Sequence, residues 1–121
     1  MAQERIQNQT AQVIARQSAQ WTLVDARRLL DALHQPEART LVASLARHPQ
    51  GQAGQELEAL LGASLRQRGY LLADINRAAR RVQAQAAQEG RSVGPPYRKQ
   101  AGIYTLDHGL GERLHSLYAA V

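Results

Sequence analysis

The spacing of apolar residues along the chain predicts two amphipathic helices in its first half. Thr22 stands three positions before Asp25, a pair typical of a helix N-terminus, and leucines follow at helical spacing as far as Leu33. Pro36 suits the first turn of a second helix, because a helix leaves that N–H group unbonded in any case. We expect the second helix to end before Pro49.

Two further helices are expected after a turn segment at 48–54. The first is a short helix over 55–61, and Gly62 suits the left-handed residue that often follows a helix. A turn over 62–69 then leads to the longest helix, from about Tyr70 to Gln88, although Ser64 offers an earlier cap. The residues of the short helix expected to face inward are Leu57, Leu60 and Leu61.

The pattern changes to that of strands after Gly90. Pro95 and Pro96 exclude helix, and the β-favouring residues Tyr97, Ile103 and Tyr104 stand on either side of a turn at 99–102. This arrangement predicts a hairpin. Asp107 then suits the cap of a closing helix, whose apolar stripe is Leu110, Leu114, Leu117, Tyr118 and Val121.

The chain is expected to form one compact domain, since its 121 residues leave no room for a second. The first residues form only a thin apolar stripe, so we divide the chain into a helical arm over 1–20 and a domain over 21–121. The arm either packs on a partner subunit or is a frayed tail. The fold class expected is α+β and mostly helical.

Charge is concentrated in one part of the chain. The segment 64–99 carries eight basic and two acidic residues, a net charge of +6, whereas the remainder sums to −1. Clustering of this kind is typical of proteins that bind polyanions, although a solvated helix face gives a similar pattern. The absence of cysteine excludes disulfides and thiolate metal sites. Without an apolar run that could span a membrane or serve as a signal peptide, we expect a cytoplasmic protein.

The long helix is expected to have an apolar face and a cationic face. At about 100° per residue, the apolar side chains converge on one side and the arginines fall on the other. A helix that lies in the major groove of DNA needs this arrangement. The apolar face comprises Leu71, Ile75, Ala78, Ala79, Val82 and Ala86. The opposite face comprises Tyr70, Ala73, Arg77, Arg80, Arg81 and Ala84.

Three segments in this order resemble the winged helix-turn-helix domains of small bacterial transcriptional regulators. They are HPQGQAGQELEALLG from His48, LLADINRAARRVQAQA from Leu71, and PPYRKQAGIYTLDHGLGERL from Pro95. The turn ASLRQRG is longer than the usual three or four residues, so it departs from the pattern. The resemblance implies a winged helix-turn-helix fold with extra N-terminal and C-terminal helices. It also implies that the partner is duplex DNA.

Nine residues are the candidate DNA contacts. Arginine suits both tasks, because its planar guanidinium pairs bidentately with guanine or binds a phosphate. The groove contacts expected are Arg66, Gln67, Arg68, Asn76 and Arg77, with Arg77 the first choice. Arg80 and Arg81 are expected to bind phosphates, and the resemblance gives Arg98 and Lys99, at the hairpin tip, a phosphate or minor-groove contact. Asp74 offers Arg77 a weak pair, and Tyr70 either contacts DNA or closes the edge of the core.

No other chemistry is expected. The four histidines lack carboxylates or thiolates at metal-ligand spacing, and no nucleophile stands beside a base, so we expect neither a metal, a cofactor, a small-molecule ligand nor enzymatic activity. A homodimer is expected, because the arm and the Leu110–Val121 helix carry more apolar surface than a small domain needs. The closing helix equally suits packing on its own core. The alternative functions are a winged-helix protein-interaction module and a non-specific architectural nucleic-acid-binding protein.

Overall fold

The computed structural model describes residues 20–62 and 65–119, so nearly all of the predicted arm over 1–20 lies outside the described residues. The described residues form an α+β, mostly helical fold, as the sequence predicts. In chain order the elements are α1 (Leu23–Ala32), α2 (Pro36–Arg47), β1 (Gln52–Ala53), α3 (Gly54–Leu61), α4 (Leu65–Gln88), β2 (Tyr97–Gln100), β3 (Ile103–Leu106) and α5 (His108–Ala119).

Local capping signals set the first helices where the sequence predicts them. The backbone N–H of Asp25 donates to the Thr22 hydroxyl over 3.1 Å, and the Thr22 N–H donates to the Asp25 carboxylate over 2.9 Å. This reciprocal pair satisfies two N–H groups that the first turn of α1 would otherwise leave unbonded. Pro36 occupies the start of α2. Both helices therefore begin because of residues close by in the chain.

A three-stranded antiparallel sheet covers one side of the helices, in the order β1-β3-β2. The hairpin β2–β3 is confirmed, whereas β1 lies in the segment predicted as a turn. Gln52 of β1 pairs with Tyr104 of β3, and its side chain accepts a 2.6 Å hydrogen bond from the hydroxyl of Ser44 in α2. Because Gln52 is buried, this hydrogen bond fixes β1, an edge strand of the sheet, against α2.

The β2–β3 hairpin turns at Ala101 and Gly102, beyond the two cations expected at its tip. Both turn residues have positive φ, 53° and 78°, as a two-residue type I′ turn requires. Arg98 and Lys99 therefore lie within β2. Alanine is an unusual choice for the first turn position, because its Cβ opposes the left-handed conformation.

Replacing Ala101 with asparagine is expected to raise the free energy of unfolding by about 0.5–1 kcal/mol, since asparagine tolerates the left-handed conformation. Denaturant titration measures this gain. Ala101→Val is the control, and its β-branched side chain is expected to lower stability at the same exposed position. A variant Ala101→Asn no more stable than the unchanged protein would contradict the assigned turn.

The longest helix, α4, begins at Leu65, five residues before Tyr70 and directly after Ser64, which the sequence offered as an earlier cap. Residues 65–69, expected in a turn, form the first turn of α4. The buried side of α4 is confirmed in full: Leu71, Ile75, Ala78, Ala79, Val82 and Ala86 are all in the core. Of the three leucines expected inward from α3, Leu57 is buried and Leu61 is partly buried, but Leu60 is exposed. The helix α3 therefore contacts the core through a narrower stripe than predicted.

The closing helix α5 packs on its own domain. The N–H of Leu110 donates to the Asp107 carboxylate over 3.0 Å, which confirms the predicted cap. Leu110 and Leu114 have no exposed surface, and α5 lies against α1 and α2. The apolar stripe of α5 is thus largely used within the domain, although Tyr118 remains 38% exposed.

Candidate nucleic-acid interface

The candidate interface is built on α4 and the hairpin β2–β3. Two hydrogen bonds join the helix to the base of the hairpin. The Asn76 amide donates a 3.0 Å hydrogen bond to the Tyr97 hydroxyl, and the Gln83 amide donates over 3.1 Å to the carbonyl of Gly94. Asn76 was expected as a groove contact. Its side chain instead attaches the first residue of β2 to α4, which fixes the hairpin beside the helix.

Arg77, the first choice for a groove contact, is bonded within the fold, although 35% of its side chain remains exposed. It contacts the Asp74 carboxylate over 2.8 Å and also donates to the carbonyl of Ala32 at the end of α1. Asp74 accepts two more bonds, each 2.9 Å, from the N–H groups of His34 and Gln35. The weak surface pair envisaged for Arg77 is therefore part of a junction that holds α4 against α1 and α2.

The hydrogen bonds of this junction stabilise the ionised form of Asp74. Burial by itself would raise the pKa of Asp74, but the hydrogen bonds from Gln35, Arg77 and His34 outweigh burial and hold the pKa below its ordinary value. The carboxylate is therefore ionised at neutral pH, and the positive charge of Arg77 is neutralised within the protein.

Arg68 is held more deeply in the fold than Arg77. Its guanidinium contacts Glu58 over 3.1 Å and lies 5.6 Å from the centre of the Tyr104 ring, and only 12% of its side chain is exposed. A Cβ atom at Gly54 would collide with the same guanidinium, so glycine at the start of α3 leaves the space that Arg68 fills. Arg68 thus joins α3, α4 and the sheet, so its guanidinium does not project from α4, and a groove contact by Arg68 remains an untested prediction.

Arg66 and Tyr70 form an exposed pair near the start of α4. The Nε atom of Arg66 donates a 3.2 Å hydrogen bond to the Tyr70 hydroxyl, and its guanidinium carbon lies 5.8 Å from the ring centre. Tyr70 is 60% exposed, so it does not close the edge of the core, which is one of the two roles that the sequence allows it. Gln67 is exposed beside this pair.

Arg80 and Arg81 project from the outer side of α4, and both are exposed. Within residues 20–62 and 65–119, neither takes part in an ion pair or a hydrogen bond given by the structure. Because neighbouring helix positions differ by about 100°, they leave the helix at opposite edges of its outer face. The edge that bears Arg81 adjoins Arg28 and Asp31 of α1.

The two cations of β2 point to opposite faces of the hairpin, as alternate strand residues do. Lys99 pairs across the sheet with Tyr104, and its ammonium lies 5.3 Å from that ring, on the face that also contacts Arg68. Arg98 pairs with Thr105 on the other face, beside a cleft bordered by Asp107. The sequence grouped these two cations, and the structure separates them.

The sequence places Tyr70 on the outer face of α4 but does not pair it with Arg66, because a helix that starts near Tyr70 leaves Arg66 in the preceding turn. With the helix beginning at Leu65, Arg66 and Tyr70 are four positions apart and share one face. Helical periodicity extended back by one turn would have found the pair. No sequence signal reveals the junctions of Arg68, Arg77 and Asn76, because some of their partners lie between 10 and 45 positions away.

Comparison of the chain with protein-family models, with curated proteins and with solved structures gives no match. In the described part of the chain, none of the helices has the length and apolar character needed to cross a membrane. The same residues contain no group of three histidine, aspartate or glutamate side chains that could hold a metal ion. The geometry and charge of the surface around α4 are therefore the features that indicate a function.

Proposed function

We propose that this domain binds duplex DNA sequence-specifically, as a winged helix-turn-helix regulator with α4 in the major groove and the β2–β3 hairpin against the DNA backbone. The order of elements supports this: a short helix α3, a turn at Gly62, the long helix α4, and a hairpin bonded to it. The observation that carries the proposal is the outer face of α4. It presents Arg66 and Arg80 to solvent, and the one carboxylate of this helix, Asp74, is buried on another side.

Small residues lie between these arginines on the outer face. Gly69 and Ala73 are exposed, and a Cβ atom at Gly69 would meet nothing within 4 Å. A glycine inside a helix costs about 1 kcal/mol relative to alanine. Packing within the described residues therefore gives no reason for glycine at this position. A partner whose surface approaches the helix backbone closely, as the floor of a major groove does, supplies one.

Three further exposed cations suit phosphate contacts. Arg80 and Arg81 leave α4 at opposite edges of its outer face, where the two walls of a groove would lie. Lys99 adds a charge from the face of the hairpin that adjoins α4. We therefore propose that these three residues contact the DNA phosphates and that the start of α4 contacts the base edges.

We further propose that two copies bind together, so that a two-fold protein matches a two-fold site. Large apolar side chains remain exposed on the first and last described helices, namely Leu23 (47%) and Val24 (55%) on α1 and Tyr118 on α5. These residues are available to an apolar contact between copies. Three phosphate contacts from each copy would give six in the complex.

Selection of bound duplexes from a random pool, followed by a salt titration on the selected duplex, tests the proposal. Six phosphate contacts predict that affinity falls by about 10³-fold between 50 and 200 mM salt. Specific binding also predicts a strong preference over a scrambled duplex. Equal affinity for both duplexes would favour the architectural alternative, and no binding to either at 50 mM salt would favour a protein partner.

Replacing Gly69 with leucine is expected to separate stability from binding. Leucine favours helix over glycine by about 0.8 kcal/mol, and the side chain would enter open space, so the variant should unfold at a higher denaturant concentration. Its affinity for the selected duplex should nevertheless fall by at least about 10-fold, because the new side chain fills the gap between helix and groove floor. Thermal or denaturant unfolding and a duplex-binding titration measure the two effects.

Ala87→Leu is the matched control for this prediction. Ala87 is exposed and lies five helical turns, about 27 Å, beyond Gly69 along the same line of α4. Leucine there should leave duplex affinity unchanged. If Gly69→Leu binds the duplex as tightly as the unchanged protein, α4 does not approach DNA through this face.

A further inference from the structure

The pair formed by Arg66 and Tyr70 has a geometry suited to reading one base. Arg66 lies in the first turn of α4 and Tyr70 one turn later, and both side chains are exposed. The hydroxyl of Tyr70 accepts the bond from Arg66 Nε, and the ring lies beside the guanidinium. No carboxylate among the described residues forms an ion pair with Arg66.

The bond to Tyr70 uses only one of the donors of Arg66. A guanidinium has five N–H donors, and the four on its two terminal nitrogens remain when Nε is bonded. Two of these point away from Nε side by side, in the arrangement that pairs with the O6 and N7 acceptors of guanine. The contact that Tyr70 makes therefore leaves the base-reading end of Arg66 open.

Tyr70 also reduces the conformational freedom that Arg66 would lose on binding. A free arginine side chain carries about 2 kcal/mol of rotamer entropy, and side chains already ordered before binding lose less. The neighbours Gly69 and Ala73 on the same exposed face are small, so they do not hold the helix away from a base edge. In helix-turn-helix proteins, residues near the N-terminus of the recognition helix contact the bases.

From these observations we propose that Arg66 recognises a guanine in the major groove and that Tyr70 is the positioning residue that orients it. This inference rests on the proposed binding of duplex DNA and adds the identity of one base and of the residue that reads it. It predicts a guanine at one fixed position in the selected duplex. It also predicts that both acceptors on the major-groove edge of that guanine contribute to affinity.

The test uses the full chain and the selected duplex with 7-deazaguanine in place of that guanine, which removes the N7 acceptor and keeps base pairing. We expect the unchanged protein to bind this duplex about 5- to 10-fold more weakly, a loss within the range of one good base contact. Arg66→Ala should bind the normal duplex about 10- to 100-fold more weakly and show no further loss on 7-deazaguanine. A base contact made by another residue would preserve that further loss.

Tyr70→Phe tests the positioning role. The variant keeps the ring and removes only the hydroxyl, so we expect an unchanged melting temperature and unchanged affinity for a scrambled duplex. Its discrimination between guanine and adenine at the assigned position should fall by about 10-fold, because Arg66 loses its orientation. A purely structural role for Tyr70 would change the melting temperature and leave discrimination intact.

The possible results of these experiments distinguish failure of the guanine contact from failure of the proposed DNA binding. Failure of every duplex to bind would overturn the proposed function and the inference together. Specific binding with no guanine at a fixed position, or with indifference to 7-deazaguanine, would overturn the inference and leave the function standing. Loss of guanine preference in Arg66→Ala but not in Tyr70→Phe would overturn the positioning role of Tyr70.

Discussion

Replacing Asp25 with alanine is expected to lower the free energy of unfolding by about 3–5 kcal/mol, the usual effect of breaking a buried ion pair. The Asp25 carboxylate has no exposed surface and accepts two hydrogen bonds from Arg91, over 2.8 and 2.9 Å. It also accepts the N–H bond of Thr22 that completes the cap of α1. Its removal leaves the guanidinium of Arg91, which is 29% exposed, with Glu89 as its remaining ion-pair partner, and it leaves the N–H group of Thr22 unbonded. Chemical denaturation of the two proteins measures the loss.

Asp31→Ala is the matched control, since Asp31 is an exposed carboxylate on the same helix and forms no ion pair within the described residues. Its replacement should change stability by no more than about 0.5 kcal/mol. Equal losses at the two positions would show that the contact between Asp25 and Arg91 contributes little.

The ion pair between Asp25 and Arg91 also predicts that the free energy of unfolding depends on pH in the acid range. Burial by itself would raise the pKa of Asp25, but the hydrogen bonds from Arg91 and Thr22 and the charge of Arg91 lower it from 3.8 to about 2. Because the folded state has the lower pKa, the carboxylate contributes stability that is fully present above pH 3.8 and is lost as pH falls through 2. This difference corresponds to roughly 2 kcal/mol. In Asp25→Asn that acid-dependent part should be absent, so stability measured from pH 5 to pH 2 should fall less steeply.

Replacing Gly51 with alanine is expected to lower the free energy of unfolding by about 3 kcal/mol or more, from backbone strain and overpacking together. Gly51 has a φ of +96°, a conformation that L residues with a side chain rarely adopt. An added Cβ atom would lie 2.6 Å from a methyl carbon of Ile103 and 2.9 Å from the carbonyl oxygen of Tyr104. The carbonyl belongs to β3 and cannot retreat without disturbing the pairing of β3 with β1. Thermal unfolding and denaturant titration measure the effect.

Gly62→Ala is the control, because it isolates backbone strain from crowding. Gly62 ends α3 with a φ of +59°, and a Cβ atom there would meet nothing within 4 Å. The control should therefore cost only the left-handed conformation of alanine, about 1–2 kcal/mol. A loss at Gly51 no larger than that at Gly62 would contradict the close approach of this turn to the sheet.

Near neighbours in the chain determined much of the secondary structure. The cap formed by Thr22 and Asp25, the start of α2 at Pro36 and the cap of α5 at Asp107 were all predictable, because each involves groups within a few residues of one another. The buried side of α4 was predictable for the same reason, since helical periodicity alone brings its apolar residues to one face. Sequence was thus sufficient wherever the energetics are local.

Other features depended on contacts between distant parts of the chain. The two residues of β1 form a strand only because β3 pairs with them about fifty positions later, and a segment so short has no periodicity to reveal it. Gly69 resembles a turn residue in the sequence, but the helix continues through it, since a single glycine costs only about 1 kcal/mol. Local reasoning therefore left the start of α4 open between Ser64 and Tyr70, and it did not find the pairing of Arg66 with Tyr70.

The sequence by itself determined that this chain carries an excess of arginine around one amphipathic helix followed by a hairpin. Only the tertiary structure decided which of these cations form ion pairs within the fold. Arg68 and Arg77 lie between elements and are neutralised there by Glu58 and Asp74, whereas Arg66 and Arg80 remain outside. The physical reason is that a charge pattern records how many cations a segment has, but the partners that bury or neutralise them come from other helices and strands.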